Sequence, residues 1–183
     1  DVYKRQMQDT TDWPVVFLGA LHAGVVPVAV NTLLTADDYA YILAHSRVRA
    51  VFVSGALMPT LQAALAQASA DAEHLVVSQP TAPLPGEALE FESLLAAAPI
   101  APAVRTLSDE IAFWLYSSGS TGKPKGVVHT HGNLWHTAEL YAKPVLGIRE
   151  DDVVFSAAKL FFAYGLGNGL TFPLSVGATV VLM

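Results

Sequence analysis

The 183-residue chain contains no cysteine. That excludes disulfides, thiolate metal sites and a cysteine nucleophile, and it permits a reducing compartment. Charge is scarce as well: 14% of residues are Asp, Glu, Lys or Arg, and 10 Lys and Arg against 16 Asp and Glu leave a net charge of −6. A nucleic-acid or anionic-membrane surface needs Lys and Arg clustered over a whole face, so neither partner is expected and small-molecule chemistry is favoured. Long apolar runs are missing too. PVVFLGALHAGVVPVAV, residues 14–30, is interrupted by His22, Gly24 and Pro27, and it is shorter than the roughly 20 residues a membrane-spanning helix needs. It reads as a buried helix ending near Gly24 and a strand from Val26 to Val30. No internal repeat or low-complexity tract stands out.

What is present is apolar residue in quantity, 52% of the chain, enough to build the core of a globular domain. Its distribution predicts alternating helices and strands. Asp12 can cap a helix with Pro14 in the first turn, and Thr35 with Asp38 resembles an acidic capping box opening a helix to about Ser46. RAVFVSG reads as a buried strand, Pro59 starts an alanine-rich helix to about Ala70, and HLVVS is another strand. Five prolines then punctuate residues 80–102 around a short helical FESLLAA. Val-rich strands separated by helices argue for an α/β fold, a layered parallel sheet covered on both faces. The chain opens on Asp1 and stops at Met183 within the apolar run ATVVLM, and it is read as truncated at both ends.

The segment 116–126, YSSGSTGKPKG, places the hydroxyls of Ser117, Ser118, Ser120 and Thr121, the glycines 119, 122 and 126, and Lys123 and Lys125 around one proline. It is not a Walker phosphate loop, because Ser117 and Pro124 occupy the positions where that motif requires Gly and Ser or Thr. The chemistry nevertheless asks for an anion. Glycines allow successive backbone N–H groups to converge, hydroxyls add short donors, and lysines add mobile positive charge. From Ile111 to Ala138 there is no acidic residue, while Lys123, Lys125, His129, His131 and His136 all lie within that stretch. A polyphosphate cradle between the strand IAFWLYS and a returning strand GVVHTH is one reading, and a flexible Gly/Ser hairpin is the other.

The same eleven residues resemble, position by position, the signature loop of the adenylate-forming superfamily, which includes acyl-CoA synthetases, luciferases and peptide-synthetase adenylation domains. HAGVVPVAVNTLLTADDYAYIL, LSDEIAFWLYSSGSTGKPKGVVHTHGNLWHTAELYAKPVLGI and DDVVFSAAKLFFAYGLGNGLTFPLSVGATVVLM are similar to its benzoate-CoA ligase branch. The resemblance implies activation of an aromatic carboxylate by ATP, with Mg2+, to an acyl-adenylate, followed by transfer to CoA in the cytoplasm. It implies that Ser117, Ser118, Gly119, Ser120, Thr121, Gly122 and Lys125 bind pyrophosphate oxygens, with Thr121 and Lys125 acting catalytically. It also implies that Phe162, Ala163, Tyr164 and Gly165 line the acyl pocket. Residues 7–183 would be part of the large N-terminal AMP-binding domain. Residues 1–6, DVYKRQ, differ from the family's hydrophobic strand and are expected to be foreign to the fold. The family's downstream adenine- and magnesium-binding segments, hinge and C-terminal lid domain do not appear in this sequence, so residues 1–183 alone are expected to be inactive. Another acyl or amino acid adenylating enzyme and a non-catalytic nucleotide-binding module are the alternatives.

Other features have plainer explanations. GLGNG, residues 165–169, lacks the third glycine of a dinucleotide fingerprint, where Leu170 stands. His129, His131 and His136 could be imagined as metal ligands, but without a neighbouring carboxylate they are expected to pack and hydrogen-bond, and no metal site is assigned. Phe155, Phe161, Phe162 and Tyr164 are by composition core aromatics, and the family resemblance lifts Phe162 and Tyr164 into the pocket.

Overall fold

Thr35 shows how directly the sequence dictates the local structure. In the computed structural model, which describes residues 2–68, 72–117 and 122–183, its hydroxyl accepts the Asp38 amide while the Asp38 carboxylate accepts the Thr35 amide. The expected capping box thus opens helix α2, Ala36–Ser46. The other helices follow the same alternation: α1 Asp12–His22, α3 Met58–Gln67, α4 Phe91–Ala97 and α5 His131–Thr137. The strands between them are β1 Val2–Gln6, β2 Val26–Ala29, β3 Ala50–Ser54, β4 His74–Ser78, β5 Leu89–Glu90, β6 Ile111–Ser117 and β7 Lys125–Thr130. Thr11 rather than Asp12 precedes the first helix, and the Asp12 carboxylate instead accepts the Ser78 hydroxyl at 2.6 Å.

Among the described residues these seven strands form one sheet in the order β5-β4-β3-β1-β2-β6-β7. Every neighbouring pair is parallel except the hairpin of β6 and β7 at one edge. Period two then sorts the side chains. Val28, Val30, Val51, Val53 and Val77 pack against Tyr39, Ile42, Leu43 and Leu61 of α2 and α3. Ala29, Val76, Phe113 and Leu115 face the opposite side, where Trp13 and Phe17 of α1 and Phe91 of α4 cover them. A parallel sheet with both faces covered is the layered architecture expected from the alternation.

The segment expected to be foreign to the fold lies within the sheet from Val2 onward. The backbone of Val2–Gln6 pairs with β2 on one side and β3 on the other, at the middle of the sheet. The physical reason is that a gap between two parallel strands demands backbone donors and acceptors, which any non-proline strand supplies. The side chain at its end fits less well: Gln6 is fully buried, and its amide lies beside the Tyr39 hydroxyl without completing an ordinary hydrogen bond.

The last quarter of the chain begins with a nine-residue π-helical turn, Ala138–Leu146, that continues α5. It proceeds through β8 Val153–Ser156, a short helix α6 Ala163–Leu166, a second π-helical stretch Gly167–Thr171, helix α7 Phe172–Leu174 and β9 Thr179–Leu182. β8 and β9 pair in parallel as a separate two-stranded sheet. Leu160, Phe161, Leu166 and Leu170 join the core formed by Trp13, Phe17, Phe113 and Leu115, which seats this segment on the large sheet. No described helix is long and apolar enough to cross a membrane.

A buried, unpartnered amide costs about 1–3 kcal/mol, so Gln6→Leu is expected to stabilise the fold. A rise in the thermal midpoint of about 2–4 °C is anticipated for each kcal/mol gained in a chain of this size. An unchanged or lower midpoint would show that the amide is satisfied where it stands.

Candidate nucleotide and acyl site

Strand β6 delivers the signature loop to the edge of the sheet at the same end as the C-terminus of its parallel neighbour β2, with Val28 opposite Trp114 and Ala29 opposite Leu115. Crevices beyond the carboxyl ends of parallel strands are where open α/β sheets bind ligands. β7 returns antiparallel, with Tyr116 facing Gly126 and Ser117 facing Lys125 across the ladder. The two expected phosphate-binding residues at the ends of the loop are therefore direct cross-strand neighbours. Gly122 has φ +90°, a conformation that side-chain-bearing residues rarely adopt, with open space around its α-carbon. Ser118, Gly119, Ser120 and Thr121, expected to complete the cradle, lie outside the described residues.

A cleft of about 590 Å3 opens beside this hairpin, lined among others by Ser117, Leu115, Val127, His129, Phe162 and Ala163. Its volume falls in the range of small-molecule sites. It joins the beginning of the loop to part of the expected acyl wall. Phe162 is about half exposed, and Ala163 begins α6 beside it. Below them the buried Phe161 ring tilts against Phe162 at 4.6 Å. Tyr164 and Gly165 are not among the residues lining this cleft. Tyr164 is 71% exposed, whereas Gly165 is buried where a β-carbon would come within 2.0 Å of the Lys159 carbonyl oxygen. The absent side chain at 165 thus serves backbone packing. Gly167 and Gly169 behave alike, meeting the Phe172 ring and the Leu160 side chain. Phe155, expected in the core, is 59% exposed on the small sheet.

Asn31 and Leu34 also line the cleft; the sequence offered no motif for them, only their place just past the carboxyl end of β2. The Asn31 carbonyl accepts the Tyr39 hydroxyl at 2.7 Å, and its side-chain oxygen accepts the Leu33 amide at 2.9 Å. His129 shares one face of β7 with Val127 and Lys125 by the period of the strand. Its ring stacks parallel to that of Phe113 at 4.6 Å, and burial pushes its pKa below the usual histidine value. The Thr130 hydroxyl donates to Asn133 Oδ1 at 3.0 Å, which turns the Asn133 amide nitrogen toward His129 Nδ1 at 3.3 Å. Nδ1 then accepts and the ring proton belongs on Nε2. Among the described residues no three His, Asp or Glu side chains are grouped to hold a metal ion.

The fold and the cleft together define a class. The family of AMP-binding enzymes matches residues 6–183, and the chain belongs to it. Within that family it is similar to benzoate-CoA ligases: it is 56% identical to the one from Thauera aromatica over 96% of this chain and 32% of that protein. A 4-hydroxybenzoate-CoA/benzoate-CoA ligase of Rhodopseudomonas palustris is 49% identical over the same shares. The structure of a benzoate CoA ligase from Burkholderia xenovorans superposes with a TM-score of 0.87 at 60% identity, covering 99% of this chain and 35% of that one. An anthranilate CoA ligase in complex with anthranoyl-AMP gives 0.95 at 35% identity, over 100% and 35%. The chain spans about a third of the length of these relatives.

Since the Lys159 carbonyl is backbone and cannot swing aside, Gly165→Ala should destabilise the fold by about 1–3 kcal/mol, the usual cost of overpacking. Thermal or denaturant unfolding checks this. Unchanged stability would mean that the α6 backbone is free to withdraw from Lys159.

Proposed function

We propose that this chain supplies the phosphate loop and one wall of the acyl pocket of an ATP-dependent aromatic acid-CoA ligase acting on benzoate or a close analogue. The observation behind the reading is the cleft that joins Ser117, at the start of the signature loop, to Phe162 and Ala163. The similarity to benzoate-CoA ligases gives that cleft its aromatic occupant.

In this reaction a carboxylate oxygen attacks the α-phosphorus of ATP, the bond from that phosphorus to its bridging oxygen breaks, and pyrophosphate leaves with the electron pair. The acyl-adenylate then meets the CoA thiolate, which bonds to the acyl carbon as AMP departs. Negative charge grows on the β-phosphate oxygens in the first step, so donors fixed at that place lower its barrier. Ser117, Ser118, Gly119, Ser120, Thr121, Gly122 and Lys125 are assigned to those oxygens, with Thr121 and Lys125 as the catalytic donors. Pairing of Ser117 with Lys125 across the hairpin supports this grouping. Mg2+ would neutralise phosphate charge, and its ligands are not assigned to the described residues. Phe162 and Ala163 are assigned to the acyl wall. For Tyr164 the proposal narrows to a part played from outside the described cleft, and for Gly165 to close packing beneath α6. The partners are then a small carboxylate, ATP and CoA, metabolites that place the reaction in the cytoplasm.

In the full-length enzyme, Lys125→Ala should slow carboxylate-dependent ATP–pyrophosphate exchange on the order of a hundredfold, roughly 3 kcal/mol, while carboxylate binding changes little. An unaltered exchange rate removes Lys125 from the mechanism. Ala163→Leu adds volume where the ring should lie and should lower kcat/KM for benzoate by more than about tenfold, since pocket misfits involve roughly 1–3 kcal/mol. The comparison is made with benzoate, substituted benzoates and a medium-chain fatty acid. Equal losses for every acid would indicate a folding defect, and a parent preference for the fatty acid would refute the aromatic assignment.

A further inference from the structure

The signature loop holds two lysines, and only Lys125 has a role in the reaction above. Lys123 lies elsewhere: its ammonium nitrogen stands 5.2 Å from the centre of the Tyr41 ring, within the reach of a cation–π contact. Tyr41 is on α2 and does not line the cleft. One helical turn further on, the His45 ring stacks on Tyr41 at 5.4 Å and 24°. His45 Nδ1 in turn is 2.7 Å from the Tyr116 hydroxyl, with the two rings edge to face at 5.9 Å. Tyr116 is the last residue of β6 before Ser117.

Two further observations show that Tyr116 is seated there rather than left in solvent. Burial pushes its hydroxyl up to about 12, with Tyr41 reinforcing the shift. Its cross-strand partner is Gly126, where an added β-carbon would already stand 3.4 Å from the Tyr116 ring. Helix α2 therefore touches both stems of the loop, the entering strand at Tyr116 and the returning segment at Lys123. Pro124 is buried between Lys123 and Lys125 and has a fixed φ, so the two lysines are held in separate places.

We propose that Tyr41 and His45 form a clamp on α2 that positions the phosphate loop, with Lys123 serving as the loop's anchor on Tyr41 and not as a second phosphate ligand. None of Tyr41, His45 and Lys123 lines the cleft, so none is required to touch a reacting atom. The kinetic consequence rests on the function proposed above; the mechanical one does not.

The test uses the full-length protein and two readouts. The first needs no substrate: trypsin does not cut Lys–Pro bonds, so Lys125–Gly126 is the tryptic site left between residues 111 and 138. Loosening the loop should speed that cleavage. Lys123→Met, Tyr41→Leu and His45→Leu are each expected to accelerate it about two- to fivefold, the size of one exposed cation–π or hydrogen-bonded contact, with the thermal midpoint unchanged. The Lys123→Met/Tyr41→Leu double variant should be no faster than the faster single, and Tyr41→Trp, which keeps a ring face, should restore the parent rate. The second readout is pyrophosphate exchange at varied ATP. There the same variants should raise the KM for ATP by a similar factor while the KM for benzoate holds.

Additive effects of Lys123→Met and Tyr41→Leu on cleavage or on KM overturn the clamp, since they would mean that Lys123 acts on ATP independently. Unchanged cleavage in all three single variants overturns it as well. Absence of exchange in the parent enzyme with every acid strikes the functional proposal alone, because the proteolysis arm still decides the clamp.

Discussion

The register of one hairpin governs the geometry of the whole site. With Ser117 opposite Lys125 and Tyr116 opposite Gly126, a hydroxyl and an ammonium-bearing residue stand at the two ends of the loop on the same face of the sheet. A slip of one residue would turn Lys125 to the α2 side and bring Gly126 to the cleft, because successive side chains on a strand point oppositely. Several contacts oppose such a slip. Phe113 is stacked flat on His129, and the His131 and Gly132 amides beyond β7 donate to the Glu110 and Ser108 carbonyls at 3.1 and 2.7 Å. At Gly132 a β-carbon would sit 2.8 Å from the Ser108 hydroxyl, so the approach depends on glycine. The hairpin is thus pinned beyond both strands, at the end away from the loop.

A second tie brings a distant part of the chain to this hairpin. The Asp9 carboxylate accepts the Leu160 amide at 3.0 Å across 151 positions, just before Phe161 and Phe162. Leu160 is fully buried and Phe161 nearly so, against a core that includes Phe17 and Phe113. Hydrophobic burial provides the larger part of that attachment, and the Asp9 bond sets its position along the sheet. Gly165 and Gly167 then let α6 and its π-helical continuation lie close against Lys159 and Phe172. Phe162 and Ala163 owe their location to these packing contacts and not to anything either does on its own.

Much of the sheet was legible in the sequence, for physical reasons particular to each element. The Thr35 and Asp38 capping box marked α2 because its donors and acceptors are local, and the valine runs of β3 and β4 marked buried strands because both faces of the sheet are covered. The loop was legible because its residue types and spacing are chemically unusual. Less accessible was whatever depends on partners far away in sequence. Nothing in VYKRQ as a string showed that its backbone fills the slot between β2 and β3. Asn31 and Leu34 enter the cleft only because β2 neighbours β6 across 86 residues, Val28 to Trp114. At Gly165 the Lys159 carbonyl oxygen, 2.0 Å from where a β-carbon would stand, is a close approach that no local pattern in the sequence signals.

Alternation along β6 divides the labour at the site. Phe113 and Leu115 pack toward the core beneath the cleft, while Trp114 and Tyr116 pack toward α2. Residues packed in the core beneath the cleft and residues packed toward α2 therefore alternate along the strand, with Tyr116 also reaching the cleft. A change at Tyr41 or His45 can alter the angle at which Ser117 leaves the sheet without placing any atom in the cleft, because neither residue lines it. Catalytic geometry is sensitive to displacements of about 1 Å, so support from behind the strand matters as much as the donors in front of it. In this chain that support is aromatic and imidazole in character, built from Tyr41, His45 and Tyr116. Rings suit the task because they are stiff and present flat faces and edges to one another.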